Sequence, residues 1–182
     1  ERRDRFQSSL KDIGDTYLRA PVEASRGGSM PTREYIDGQW VTVNDSFRGY
    51  DDSKDSSTDY VNFLQENPRY GDYLQAQDMD SALAALQASG YATDPNYANK
   101  LRGINPRTAE QEAFIEARKQ ELIAAGADPI RAEIGARQAV LETGWGQSLS
   151  GGNNYYGIKS HGKEASPEDA QVAEKLVTER GF

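Results

Sequence analysis

The chain has 182 residues, 36% of them apolar and 27% charged, with a formal net charge of −8 and no cysteine. That length supports one compact core with room for extra arms, and no apolar run approaches the roughly 20 residues that would span a bilayer. The 21 Lys and Arg are scattered rather than clustered, which argues against a nucleic-acid partner, and the missing cysteines exclude disulfides, thiolate chemistry and Cys-based metal sites while leaving the compartment open.

The opening Glu1-Arg2-Arg3-Asp4 does not read as a signal peptide, so a mature or excised piece is expected. Over residues 3–18, Phe6, Leu10, Ile13 and Tyr17 recur at helical spacing and predict an amphipathic arm without evident chemistry. The Gly-, Ser- and Pro-rich stretch 24–31 reads as a loop. In TREYIDGQWVTV, residues 32–43, Asp37-Gly38 lies between β-favouring residues and predicts a two-residue hairpin turn. That register sets Ile36 opposite Gln39, Tyr35 opposite Trp40 and Glu34 opposite Val41, so Glu34 shares a largely apolar face with Ile36, Val41 and Val43.

Tyr60, Phe63 and Leu64 then predict a short helix over 56–65 that Asn67-Pro68 ends, and Leu83 and Leu86 predict another, closed by Ser89-Gly90. Asp94 and Pro95 read as the N-cap and first residue of a helix running towards Ile104. Thr108 and Gln111 have capping-box spacing and open a helix with Phe114, Ile115, Leu122 and Ile123 that stops at Gly126. Asp128-Pro129 caps the next helix, which carries Ile130, Ile134 and Leu141 on one side and Glu142 in its last turn, before Gly144. A second amphipathic arm opens at Ser166-Pro167, with Val172 and Leu176 four residues apart.

Glu142 is the candidate for a catalytic acid. At the end of an apolar helix and beside Trp145, its carboxylate is expected to be partly desolvated, which raises its pKa and suits it to donate a proton. Without that role it is an ordinary last-turn glutamate, disfavoured against the helix dipole. His161 is the only histidine and has no second ligand near it in sequence, and SGGNN lacks the strand and lysine of a phosphate loop. No metal or cofactor is expected.

The string AVLETGWGQSLSGGNNYYGIKS, residues 139–160, resembles the catalytic block of the family 73 glycoside hydrolases, the lysozyme-like peptidoglycan N-acetylglucosaminidases that include flagellar rod-cap hydrolases and autolysins. Residues 32–70, from TREYIDG through FRGYDD to NPRY, and GYATDPNYANKL resemble the second half of the same domain. The resemblance implies an α+β fold, mainly α, with a lysozyme-like helical lobe, a small β-hairpin lobe and a glycan cleft between them. It implies an arm and loop at 1–30, a glucosaminidase domain at 31–162 (hairpin half 31–104, catalytic-helix half 105–162) and a C-terminal arm at 163–182.

Carried onto this chain, the family pattern makes Glu142 the general acid of an endo-β-N-acetylglucosaminidase, Glu34 the second carboxylate as base or charge stabiliser, and Tyr91 a tyrosine near the acid. Tyr91 is equally readable as core, and Asp94 as a cap. Trp145, Tyr155, Tyr156, Tyr97 and Tyr50 are candidates to stack on sugar faces and Asn153 and Asn154 to bond sugar hydroxyls, with Trp145 and Tyr156 expected to line the cleft and Phe47 to pack beneath it. Arg48 either meets a muropeptide carboxylate or forms a structural ion pair. The substrate implied is the glycan strand of peptidoglycan in a periplasm, cell wall or virion, with a flagellar or phage assembly as possible partner.

One departure stands out: in the family the E-[ST]-G-W-G block precedes the hairpin, whereas here it follows. A circular permutation accounts for this, with the usual ends fused through LRGINPRTAEQ; exchange of halves between copies in a homo-oligomer, or segments numbered out of chain order, fits the same residues. Two rival functions also fit: a lytic transglycosylase, which needs only one acid, and a non-catalytic module for wall binding or virion assembly.

Overall fold

The structure, a computed structural model, describes residues 25–149 and 152–160. The two predicted arms, 3–18 and 166–182, and His161 lie outside the described residues.

Among the described residues the fold is α+β and mainly α, as the sequence predicts: one antiparallel hairpin followed by six helices. The hairpin comprises β1 (Ser25–Ile36) and β2 (Gln39–Gly49), with Glu34 opposite Val41, Tyr35 opposite Trp40 and Ile36 opposite Gln39. Asp37 and Gly38 turn with φ of 51° and 80°, the two positive values that the tight turn demands. From Ser25 on, the predicted loop at 24–31 is instead the first half of β1. Pro31 is tolerated there because β1 pairs on one side only, and the Gly27-Gly28 pair falls where the register slips between Arg26 and Ser29.

Helix α1 (Ser53–Glu66) starts a turn earlier than the pattern suggests because Asp52 accepts the Asp55 N–H, and it ends at Asn67, before Pro68. A 3₁₀ turn (Pro68–Tyr70) and the short α2 (Gly71–Gln75) follow, neither with a periodic signal long enough to read. Next come α3 (Met79–Ala88) and α4 (Tyr97–Arg102). The latter begins later than predicted: Asp94 accepts the Asn96 N–H and closes a turn around Pro95 rather than capping the helix. The α5 (Ala109–Ala124) and α6 (Pro129–Thr143) helices start at their predicted caps, Thr108 and Asp128. After α6, Gly144 adopts φ 55° and its N–H bonds the Val140 carbonyl.

The core is unusually aromatic. Tyr60, Tyr70, Tyr73, Tyr97 and Tyr156 join Leu64, Leu83, Leu86, Leu101, Leu122 and Ile134 in one buried cluster. Gly135, in the middle of α6, allows close approach: a Cβ there would lie 2.6 Å from Leu122 Cδ1 and 3.2 Å from Tyr60 Cε1. Segment 158–160 then reaches the hairpin, where Lys159 bridges Phe47, the Arg48 N–H bonds the Ile158 carbonyl at 2.9 Å and the Ser160 N–H bonds the Ser46 carbonyl at 2.8 Å. The last turn of α6 and the inner face of the hairpin thereby come to one place.

Candidate active site

Glu142 stands in the last turn of α6, open to solvent on one side and crowded by protein on the others. Gly157 lies against it. With φ 64°, a Cβ on Gly157 would sit 2.8 Å from Glu142 Oε2, so only glycine leaves the carboxylate where it is. The crowding disfavours the charged form, and the negative charge of Glu34 adds to it; Lys159 and a hydrogen bond with Tyr97 pull the other way. The balance pushes the Glu142 carboxyl up to about 7.

Glu34, on β1, has both oxygens engaged. Oε1 accepts from Lys159 Nζ at 2.7 Å and Oε2 from the Thr93 hydroxyl at 2.5 Å, while Thr93 Oγ1 also accepts the Tyr35 N–H. Lys159 bridges onward to Asp45 Oδ2 at 2.5 Å. Burial works to lower the Lys159 pKa, but its bonds to Asp45 and Glu34 prevail and raise it, so the ammonium persists through neutral pH. The largely apolar setting that strand alternation predicted for Glu34 is therefore replaced by a salt-bridged one, because segment 158–160 delivers a lysine to that face.

The aromatic candidates separate. Tyr97 is buried, stacked against Tyr91 with centroids 6.1 Å apart, and its hydroxyl accepts from Gln138 Nε2 at 3.2 Å. Tyr91 donates to the Tyr156 carbonyl at 2.7 Å. Tyr156, expected to line the cleft, is instead fully buried: its ring stacks on Tyr60 at 4.2 Å and its hydroxyl bonds Ser57. Tyr50 is buried with its hydroxyl on Asp59. Arg48 also pairs with Asp59, at 2.8 Å, and is a structural ion pair.

Trp145 is half-buried, edge-on to Phe114, and holds φ 63°, a left-handed conformation that is costly for a bulky residue and recurs where geometry is imposed for function. Tyr155 is half-buried over the Arg118 guanidinium at 4.5 Å. These two rings remain accessible. Asn153 donates to the Tyr50 and Asp51 carbonyls. Asn154 is 1% exposed, with its amide spent on the Arg48 and Ile158 carbonyls and the Tyr156 and Ile158 N–H groups, so it braces the loop and has no free donor for a sugar. Phe47 packs in the interior, as expected.

Sequence reasoning named Glu142, Glu34, Tyr91 and Tyr97 and missed their partners. Lys159 and Thr93 stand within the short strings YYGIKS and YATDP, 125 and 59 residues from their partner Glu34, and Gly157 lies against Glu142 from the loop that follows its helix. Gln138 carried a readable signal: it lies four residues before Glu142, one turn back on the same helical side.

Residues 19–109 match the family described as glucosaminidase, mannosyl-glycoprotein endo-beta-N-acetylglucosaminidase. Similar proteins include the peptidoglycan hydrolase FlgJ of Vibrio parahaemolyticus, 44% identical over 77 residues that make up 42% of this chain and 25% of that one. FlgJ of Salmonella typhimurium is 44% identical over 75 residues, 41% of this chain and 24% of that one. The exo-glucosaminidase LytG of Bacillus subtilis is 35% identical over 81 residues, 42% of this chain and 29% of that one. The matched stretch thus spans about a quarter of these relatives' length. No solved structure matches the chain.

Proposed function

The chain belongs to the glucosaminidase family, and we propose that it hydrolyses the N-acetylglucosaminyl β-1,4 bond of peptidoglycan in the cell wall or periplasm, acting as an endo-glycosidase with Glu142 as general acid. The observation that carries this is the Glu142 carboxyl itself: open to solvent on one side, held against Gly157 and pushed up to about 7, it is largely protonated at mildly acidic pH, about half protonated at neutral pH, and able to give its proton to a leaving glycosidic oxygen. Trp145 and Tyr155 are the rings left for sugar faces. Glu34, fixed by Lys159 and Thr93, offers a stationary negative charge to an oxocarbenium-like centre.

That same fixation favours a second reading. A carboxylate bonded through both oxygens has less capacity to take a proton from water, which suits a lytic transglycosylase, where no water enters. Digestion of purified peptidoglycan by the protein and by Glu142→Gln, with product ends identified by mass spectrometry, separates the two. Reducing N-acetylglucosamine ends that fall at least 10²-fold with the variant are expected, a loss typical of removing a general acid. Anhydro-muramic ends would select the transglycosylase, and no products from the folded wild type would leave a wall-binding or assembly module.

We further propose that the two halves, 31–104 and 105–162, form one permuted domain within a single chain. Supporting this, 158–160 pairs with β2 beside β1, where the family order would join the catalytic block to the hairpin, and only residues 103–108 separate α4 from α5.

A further inference from the structure

Glu34 lies in the middle of a chain of hydrogen bonds whose directions are all fixed. At one end the Ser46 N–H donates to Asp45 Oδ1 at 2.9 Å, and Asp45 Oδ2 accepts from Lys159 Nζ at 2.5 Å. The Lys159 ammonium can only donate, so Glu34 Oε1, 2.7 Å from the same nitrogen, accepts. At the other end the Tyr35 N–H donates to Thr93 Oγ1 at 2.9 Å, and the Thr93 hydroxyl hydrogen goes to Glu34 Oε2. The chain is thus pinned at both ends by backbone N–H groups of the hairpin, Tyr35 on β1 and Ser46 on β2. Side-chain exposure is only 13% for Glu34 and 17% for Asp45, so water competes little for these bonds.

We propose that Thr93 and Asp45 are positioning residues for the second carboxylate: Thr93 fixes the Glu34 rotamer directly, and Asp45, acting through Lys159, keeps that ammonium shared so that Glu34 is not neutralised. This rests on the reading of Glu34 as the charge stabiliser of the hydrolase. Lys159 carries one positive charge and meets two carboxylates, so the cluster remains negative overall. Without the Asp45 charge, Lys159 would answer Glu34 alone and cancel the negative charge offered to an oxocarbenium-like centre. Asp45 is itself held still by the Ser46 N–H, and Ser46 also accepts the Ser160 N–H at 2.8 Å, so one pairing on β2 sets both Asp45 and the segment that carries Lys159.

The test uses the whole chain. Thr93→Val keeps the side-chain volume and deletes the hydroxyl, whereas Asp45→Asn keeps an acceptor for the Ser46 N–H and removes the charge. On soluble glycan strands from peptidoglycan, each is expected to lower kcat about 10-fold with KM near that of wild type, and Thr93→Ser is expected to recover most of the loss. Asp45→Asn is expected to cost nothing further in a Lys159→Met background, since it acts only through that lysine; a merely structural effect would add in both backgrounds. Independently of turnover, the Lys159 ammonium is followed by nitrogen-15 titration of the lysine-labelled chain, its signal identified by its loss in Lys159→Met. Glu34 from β1 and Asp45 from β2 bond this ammonium and Glu142 from α6 acts on it through space, so its midpoint is expected to fall in Asp45→Asn and in Glu34→Gln. Undiminished kcat in folded Thr93→Val and Asp45→Asn, additive losses with Lys159→Met, or an unmoved Lys159 midpoint in Asp45→Asn would overturn the proposal. A lowered midpoint in a chain whose wild type releases no sugar would leave the shared ammonium standing and remove the hydrolase reading instead.

Discussion

At the scale of single residues, the candidate site depends on an absence of atoms at Gly157. Its φ of 64° costs any other residue roughly 1 kcal/mol, and its α-carbon stands so near Glu142 that a methyl group would meet Oε2 at 2.8 Å. Because the Glu142 side chain faces solvent, it has somewhere to go, and the clash resolves by moving the carboxylate rather than the backbone. A displacement on the order of 1 Å at a reacting group lowers rates by about 10²-fold. Gly157→Ala is therefore expected to reduce kcat/KM by roughly 10- to 100-fold with only a small loss of thermal stability. Gly152→Ala supplies the comparison: φ is 76° but nothing lies within 4 Å, so it carries the backbone strain without the clash and should retain hydrolysis. Equal losses in the two variants would assign the effect to loop strain and not to Glu142.

At the scale of elements, α6 aims the carboxylate, and its position depends on packing against α5 and α1 through Gly135. Alanine is the better helix former by about 1 kcal/mol, so helix propensity alone favours Gly135→Ala. The new methyl would lie 2.6 Å from Leu122 Cδ1 and 3.2 Å from Tyr60 Cε1, both in the buried core, and overpacking of this kind costs about 1–3 kcal/mol. Net destabilisation of about 1 kcal/mol is expected, read as a lower denaturant midpoint with an unchanged slope; a higher midpoint would mean that α5 yields freely. Features of this element show what a sequence makes legible. The caps at Thr108 and Asp128, the Gly144 stop and the Asp37-Gly38 turn follow from contacts within four residues, and each was readable. The extension of β1 back to Ser25 depends on pairing with β2, and Gly- and Pro-rich composition conceals it. Tyr156 and Asn154 sit in a string that looks made for sugars, yet their partners, Ser57, Tyr60 and the Arg48 carbonyl, lie about 100 residues away. Local rules find side chains of the right chemistry; only the assembled core decides which face inward.

At the scale of the whole molecule, the order of the halves becomes a question of distances. Ser46 is paired with Ser29 across the hairpin and accepts the Ser160 N–H on its other side, so Ser29 and Ser160 flank it on neighbouring strands, about 10 Å apart at 4.7–4.9 Å per strand spacing. A linker of about four residues, at up to 3.3–3.6 Å each, spans that gap. At the other junction, α4 and α5 are joined by Gly103 to Thr108, within which Ile104 packs against Ile115, Ala136 and Val140 and its carbonyl accepts from Arg137. A chain rewritten as 105–160, linker, 29–104 keeps the Ile104 packing and the intramolecular contacts that bring Lys159 to Glu34. It is expected to fold as a monomer with the same Glu142 carboxyl midpoint. If the halves instead complete one another between copies, the short linker forces both into one chain at the wrong reach. The rewritten protein would then aggregate, while the original chain would sediment as a dimer. A monomeric original together with a folded, titrating rearrangement would make the unusual order a matter of connectivity alone, with the three-dimensional site independent of where the chain is cut.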